Sequence, residues 1–450
     1  MAGMPLPSFF RSPVPGGSFH WLLCSDALTL LSLMVGQVAL PWWIAQSGGA
    51  NDLAVFGVVV SAMSFLAMPL LSPFADRYPK RNLMVVALVG FGIAASAMAA
   101  FASLSRYRLS VVIAIEAVTV LANALLLPAV NSIVTELVPP SDLSRALGQQ
   151  QTAQAGGRLV GPAIAGSVLA ALGTARTLWL HALLLFGAAA LATRLPRPER
   201  ARDAVKAARN WSAEFRVGMR VNWAIPIERG WVLCNFAGAL VMLPCATMLV
   251  PLKVQSLGLS AAWLGWCEAA LSLGLLAGSL GIAQAWSRMQ GRFATRISSA
   301  ALMGAAFAVA GWTRDRHVLV AMFAAVGTCS AAIMLVGKTH RMLARPLAFR
   351  ARMSSAAIMT TQVSQTLGPA IAGVALAHAS VRAVYVAFGV GSVVSAFGFF
   401  LIPGFRAFMA LEHDEVDNWY GRMYPRVFEA GAGSFSSPSD DADATRPASP

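Results

Sequence analysis

The chain is short of charge. Only 12% of its 450 residues are Asp, Glu, Lys or Arg, about half the share of a soluble domain, too few to build a water-facing surface. Cysteine is scarce as well. The 5 thiols (Cys24, Cys234, Cys245, Cys267, Cys329) form no CxxC pair and stand beside no histidine cluster, which argues against a disulfide scaffold or a metal site and for buried thiols in apolar surroundings. Histidine is scattered (His20, His181, His317, His340, His378, His413). With no HExxH, P-loop lysine or nucleophile elbow, an enzyme has no residues to rest on, and no cofactor is expected. His181 and His378 read as packing or interface residues. No glycine period exists, which excludes collagen. Residues 1–19 carry Pro5, Pro7, Pro13 and Pro15 and no short apolar run with a cleavage site, so no cleavable signal peptide is expected.

What the chain has instead is apolar length. Hydrophobic residues make up 57% of it, and a membrane span needs about 20 in succession. Twelve stretches qualify: 20–46, 52–72, 82–104, 109–135, 146–172, 177–194, 230–252, 262–286, 296–312, 317–337, 354–378 and 383–403. Between them the backbone must leave the lipid, because unpaired amides there cost too much. The breaks suit that need: Ser47-Gly48-Gly49, Pro139-Pro140, Gly173 and the charged pair Arg314-Asp315. The sequence predicts an all-α membrane protein.

The formal net charge of +14 invites a nucleic-acid reading, but the placement of the charge excludes it. Of the 34 Lys and Arg, 26 fall on the side of the spans that carries both termini and the segment 195–229, against 7 on the other side. This is the positive-inside pattern. It predicts cytoplasmic termini, a cytoplasmic central segment and an even number of spans. Arg158 alone is left inside a span.

Five segments follow: an N-terminal cytoplasmic stretch (1–19), six spans (20–194), a cytoplasmic linker (195–229), six more spans (230–403) and a cytoplasmic tail (404–450), expected to be disordered from about residue 431. In the linker, Trp211, Phe215, Met219 and Trp223 recur every four residues between charges, as in a helix lying on a membrane surface. The two sets of spans are repeats. Gly161-Pro162-Ala163-Ile164-Ala165-Gly166 returns as Gly368-Pro369-Ala370-Ile371-Ala372-Gly373, and Arg145 matches Arg352 at the same offset. Repeats with a site at their interface are a transporter architecture.

Residues 72–81 (Ser-Pro-Phe-Ala-Asp-Arg-Tyr-Pro-Lys-Arg) place Asp76, Arg77 and Arg81 in a short loop between the second and third spans. This resembles the loop signature of the major facilitator superfamily, with Ser72 and Pro79 in place of its glycines. The run Gly161-Pro162 to Gly166 resembles that superfamily's antiporter signature on helix five. Gln37-Val-Ala-Leu-Pro41, Leu127-Pro128, Leu137-Val138-Pro139, Leu143 and Arg158 are similar to the branch of the enterobactin exporter and the macrolide efflux pumps. The resemblance covers about residues 18–404. It implies two six-helix bundles related by a pseudo-two-fold axis, a bacterial cytoplasmic (inner) membrane, and proton-driven export of a small amphiphilic compound such as a drug or siderophore.

Ionisable groups inside spans are costly, so each is a candidate for function. They are Asp26, Glu116, Arg158 and Glu268. Polar neighbours extend them into stripes: Gln151, Gln154 and Arg158; Glu116, Thr119 and Asn123; Asp26 and Gln37; and, in the repeat of span five, Thr361 and Gln365. A carboxyl in such a cavity can carry a proton, and an arginine, always charged, can bias it. The spacing does not say which carboxyl faces Arg158. Gly157, Gly161 and Gly166, with Gly368 and Gly373, form small-residue faces for close helix contact, and Pro162 and Pro369 remove a backbone donor where a helix bends. The partners expected are a small molecule, protons and lipid, with the chain as a monomer. Two other readings stay open: import or facilitated transfer of a nutrient, and a transport-inactive sensor or scaffold working through the tail.

The charge asymmetry makes a direct prediction. Single cysteines introduced within 200–210 or 435–445 resist an impermeant thiol reagent added outside intact cells and react once the membrane is opened. Labelling of either from outside refutes the assigned orientation.

Overall fold

A backbone in lipid has to satisfy its own amides, and a helix does so within one segment. The structure, a computed structural model, describes residues 18–139, 142–196 and 211–432, and every element in them is helical. The first half of the chain comprises α1 (Phe19–Arg77), α2 (Lys80–Ser103), α3 (Leu109–Leu137) and α4 (Leu143–Ala192). The second comprises α5 (Trp211–Ala224), α6 (Pro226–Thr247), α7 (Leu249–Ser256), α8 (Ala261–Ala277), α9 (Ala283–Trp312), α10 (Arg316–Ala344), α11 (Leu347–His378) and α12 (Val381–Phe397). Among the described residues, 8 helical segments are long and apolar enough to cross a membrane. Three of these, of 49, 48 and 52 residues, are about twice the length a span needs. Each is interrupted by a glycine at backbone angles no helix uses: Gly49 (φ 72°), Gly173 (φ 79°) and Gly291 (φ 81°). L side chains avoid those angles, so glycine is the residue that lets the chain turn there.

The repeat read from six residues extends to whole helices. Phe19 opens α1 and Pro226 opens α6; Leu109 opens α3 and Arg316 opens α10. Both pairs lie 207 residues apart, the offset of the glycine-proline motif. Each half has its own core. One gathers Leu22, Leu88, Phe91, Val134 and Leu185; the other gathers Val221, Trp231, Met353, Phe405 and Tyr420. A third cluster takes residues from both halves, among them Ile44, Leu169, Leu249 and Phe307. It joins them at the end of the bundle away from the start of α1.

Residues 404–428, read from the sequence as the aromatic-bearing start of a polar tail, are mostly helical. Short helices α13 (Phe405–Ala410), α14 (His413–Val416), α15 (Trp419–Met423) and α16 (Pro425–Ala432) fold against the second half. Phe405 and Phe408 meet the buried Trp231 edge-on, with ring centroids 5.0 and 6.3 Å away. The Asn418 amide donates to the Leu343 carbonyl at 3.0 Å, and Arg292 donates to that of Leu411 at 2.6 Å. The linker helix α5 belongs to the same body. Gly218 lies against the Arg352 backbone, Asn222 donates to the Met353 carbonyl at 2.9 Å, and Trp223 stays exposed. The part of the tail expected to be disordered, and linker residues 197–210, fall largely or wholly outside the described residues.

Beneath this cap lies an ion cluster that the sequence reading missed, having counted its arginines as loop charges. Glu228, fully buried, accepts from Arg341 at 2.6 and 2.9 Å and from Arg345 at 3.0 Å. Removing one partner of a buried ion pair strands the other charge, at a cost of about 3–5 kcal/mol. Glu228→Gln is therefore expected to lower the thermal unfolding temperature in detergent markedly. Glu412→Gln removes a carboxylate that is 78% exposed and 3.6 Å from Arg292 and is expected to change it little. Equal shifts would show that the buried cluster adds nothing beyond a surface pair.

Candidate functional site

Small residues set how the helices approach. On α4, Gly157 and Gly161 lie against Leu31 of α1, and Gly166 lies against Gly265 of α8. A Cβ on Gly166 would stand 2.7 Å from the Gly265 Cα, so the backbones of the two halves touch with no side chain between them. The repeat does the same on α11: Gly368 lies against Leu240 and Pro244 of α6, and Gly373 against Ala54 of α1. Pro369 faces Gly57 of α1. Each copy of the motif thus uses one glycine within its own half and another across the boundary.

Beside these contacts is a cavity of about 440 Å³, within the range of small-molecule sites. Its walls are mostly apolar, with Met34, Phe56, Phe91, Met98 and Leu178 among them. Its polar groups include Gln37 from α1, Glu116, Thr119 and Asn123 from α3, His181 from α4 and Glu268 from α8. The spacing 116, 119, 123 puts three of them on one helical face, and the Thr119 hydroxyl hydrogen-bonds the Glu116 carboxyl. Pro162, inside α4, lines the cavity too. His181, read from the sequence as a packing residue, is held by Ser32: the Ser32 hydroxyl is 2.7 Å from both the His181 Nδ1 and the His181 carbonyl. One hydroxyl proton serves both contacts if Nδ1–H donates to Ser32 and Ser32 donates to the carbonyl.

Asp26 is elsewhere. It is 2% exposed, and its Oδ2 accepts from Gln150 at 2.7 Å and from Gln154 at 3.2 Å. Gln154 was in the sequence-derived set and Gln150 was not. Gln150, Gln154 and Arg158 recur every four residues in the sequence, and Gln151, the neighbour on the predicted stripe, is exposed. Arg158 is exposed as well and has no hydrogen bond or ion pair among the described residues. It lies one turn before Pro162, on the cavity side of α4. Gln365, its counterpart on α11, is half-buried. The structure thus gathers Gln37, Glu116, Asn123 and Glu268 around one cavity, pairs Asp26 with Gln154 outside it, and leaves Arg158 and Gln151 free.

The loop motif is described in part. The side chains of Asp76 and Arg77 lie outside the described residues. Arg81 donates to the Thr193 carbonyl at 2.6 Å, tying the start of α2 to the end of α4. At the opposite end, Tyr107 donates to Asp52 at 2.9 Å, and burial and that carboxylate push its hydroxyl pKa up. Lys253 donates to the Gly311 carbonyl at 2.6 Å; burial, then Arg382 and Arg314, push its pKa down. Among the described residues, no group of three or more His, Cys, Asp or Glu is placed to hold a metal.

The family model of the Major Facilitator Superfamily matches residues 22–340. The multidrug efflux pump Tap of Mycolicibacterium fortuitum is 25% identical over 299 residues, 64% of this chain and 72% of that protein. The solved nucleoside transporter NupG superposes with a TM-score of 0.65 at 14% identity, over 88% of this chain and 100% of that one. A bacterial homologue of the human lysosomal transporter Spinster, in an inward-facing and unoccupied conformation, gives 0.61 at 14% identity, over 87% and 96%. At such identities the two structures share the fold alone with this chain.

The glycine contacts can be tested without knowing what the cavity holds. Gly166→Leu and Gly265→Leu each force two backbones apart, which costs about 1–3 kcal/mol or more. Both are expected to lower the unfolding temperature, as are Gly161→Leu and Gly368→Leu. Gly156→Leu, where a Cβ meets nothing within 4 Å, is the control. Equal effects at Gly156 and Gly166 would exclude close packing as the cause.

Proposed function

Since this chain belongs to the major facilitator superfamily, we propose that it is a secondary active transporter exporting a small amphiphilic compound, a drug or a siderophore, in exchange for protons. The observation that carries the reading is the cavity beside the boundary of the halves, with Glu116 supplied by one and Glu268 by the other. The efflux pump among its relatives favours export.

In this reading Gly49, Gly173 and Gly291 are the turns between successive spans. With α11 they bring the count to twelve, six in each half. The basic side faces the cytoplasm of a bacterium whose inner membrane holds the protein, working as a monomer. The named close contacts between the halves, including Gln255 to the Trp42 carbonyl at 3.1 Å, then lie toward the outside. Transport proceeds by rocking the halves about that seam. The carrier has no enzymatic activity.

The chemistry divides between two places. Glu116 and Glu268 face the cargo. Asp26, whose acceptor oxygen binds two amides from α4, is a proton site on the α1–α4 contact. Protonating it removes a charge to which both amides donate and weakens that contact. Arg158, one turn beyond Gln154 on the same helix, serves in this reading as the cation for a deprotonated Asp26 when the helices shift. A charge in the hydrocarbon costs at least about 2.5 kcal/mol on insertion scales, so a partner in some state of the cycle repays its retention.

Arg158→Ala is expected to abolish transport driven by an imposed pH gradient in proteoliposomes, counted per folded molecule. Arg158→Lys is expected to keep part of it, since the charge stays while the planar fork is lost. Full gradient-driven transport in Arg158→Ala would remove Arg158 from the coupling.

A further inference from the structure

We infer that the cargo is an organic cation, held with its positive charge between Glu116 of the first half and Glu268 of the second. This rests on the transporter reading above and narrows it, since a drug and a siderophore differ in the sign of their charge. Both charged groups among the cavity's lining residues are carboxylates, and neither Lys nor Arg lines it. On α4, Arg158 stands one turn before the lining residue Pro162 and Arg176 two residues before the lining residue Leu178, and neither is part of the lining. The two acids are also the least compensated in the bundle. Asp26 has two amide donors and Glu228 two guanidiniums. Glu116 has the Thr119 hydroxyl, and Glu268 accepts no hydrogen bond among the described residues.

Ionised acids in an apolar cavity favour an occupant that brings positive charge. An anion would be repelled from it. A neutral molecule would gain nothing from the charge of either acid. The rest of the lining suits a greasy cation: Phe56 and Phe91 are among it, and cations are drawn to aromatic rings, while Met34 and Met98 adapt to varied shapes. The two acids stand on different halves, so a cation between them bridges the halves. Protons neutralise the same two acids. Two protons balance the pair; a monovalent cation balances one charge and leaves the other to a proton, so entry of the cation displaces a proton from the site.

The test uses the full-length protein in proteoliposomes with an imposed pH gradient and three probes: tetraphenylphosphonium as cation, chloramphenicol as neutral compound and a catecholate siderophore as anion. The wild type is expected to pump the cation and not the anion. Glu116→Gln and Glu268→Gln are each expected to weaken equilibrium binding of tetraphenylphosphonium on the order of tenfold or more, the loss of a charged contact. Glu268→Asp keeps the charge and retains binding, which separates loss of charge from loss of fold. Pumping of the siderophore, or unchanged tetraphenylphosphonium binding in the doubly neutralised variant, overturns the assignment while leaving a transporter. Movement of none of the probes overturns this assignment and the transporter reading together.

Discussion

The two halves of this chain meet where two backbones touch. Between Gly166 of α4 and Gly265 of α8 there is no room for a Cβ, and much of the bundle follows from that approach. Lipid gives apolar side chains no reason to leave it for one another, so helices in a membrane associate by dispersion and by how closely they approach. Glycine permits the closest approach. The same device recurs at Gly373 against Ala54, and the cavity sits beside these contacts, with Pro162, between the two glycine faces of α4, in its lining. A wider seam would open the cavity; bulkier residues at it would leave the halves without a shared surface.

The frame was largely legible in the sequence, for physical reasons. A turn in a membrane protein needs glycine, proline or charge, and Gly49 and Gly173 stand where the apolar runs break. Helical faces are set by spacing, so Glu116, Thr119 and Asn123 could be read together. Partners far apart in sequence could not. Glu228 meets Arg341 across 113 positions, and an arginine at the buried end of a helix has the same composition as one in a basic loop. Gln150 was passed over for Gln151 because the stripe drawn through Gln154 and Arg158 admits either neighbour. The fold of residues 405–432 was hidden because a segment short of apolar length reads as tail even when its few aromatics are all used.

The repeat and the chemistry part company. The glycine-proline motif and two of the helix starts recur at an offset of 207 residues, yet at that offset Asp26 becomes Leu233, Glu116 becomes Phe323 and Arg158 becomes Gln365. The copies have kept the frame and not the charges. The reason is electrostatic: a frame of small residues tolerates duplication, whereas every charge placed in lipid must find its own compensation. Asp26 in the first half is answered by amides, and Glu228 in the second by arginines.

The placement of α5 and the short helices after α12 has a consequence for how the chain can be cut. Both pack on the second half, while the first half's core runs through Leu195. The seam in the polypeptide therefore lies between Pro196 and Trp211, well before the first spanning helix of the second repeat. Two fragments separated there would each take a complete core with them. A break at Pro226, where the repeat begins, would tear α5 from the body it belongs to.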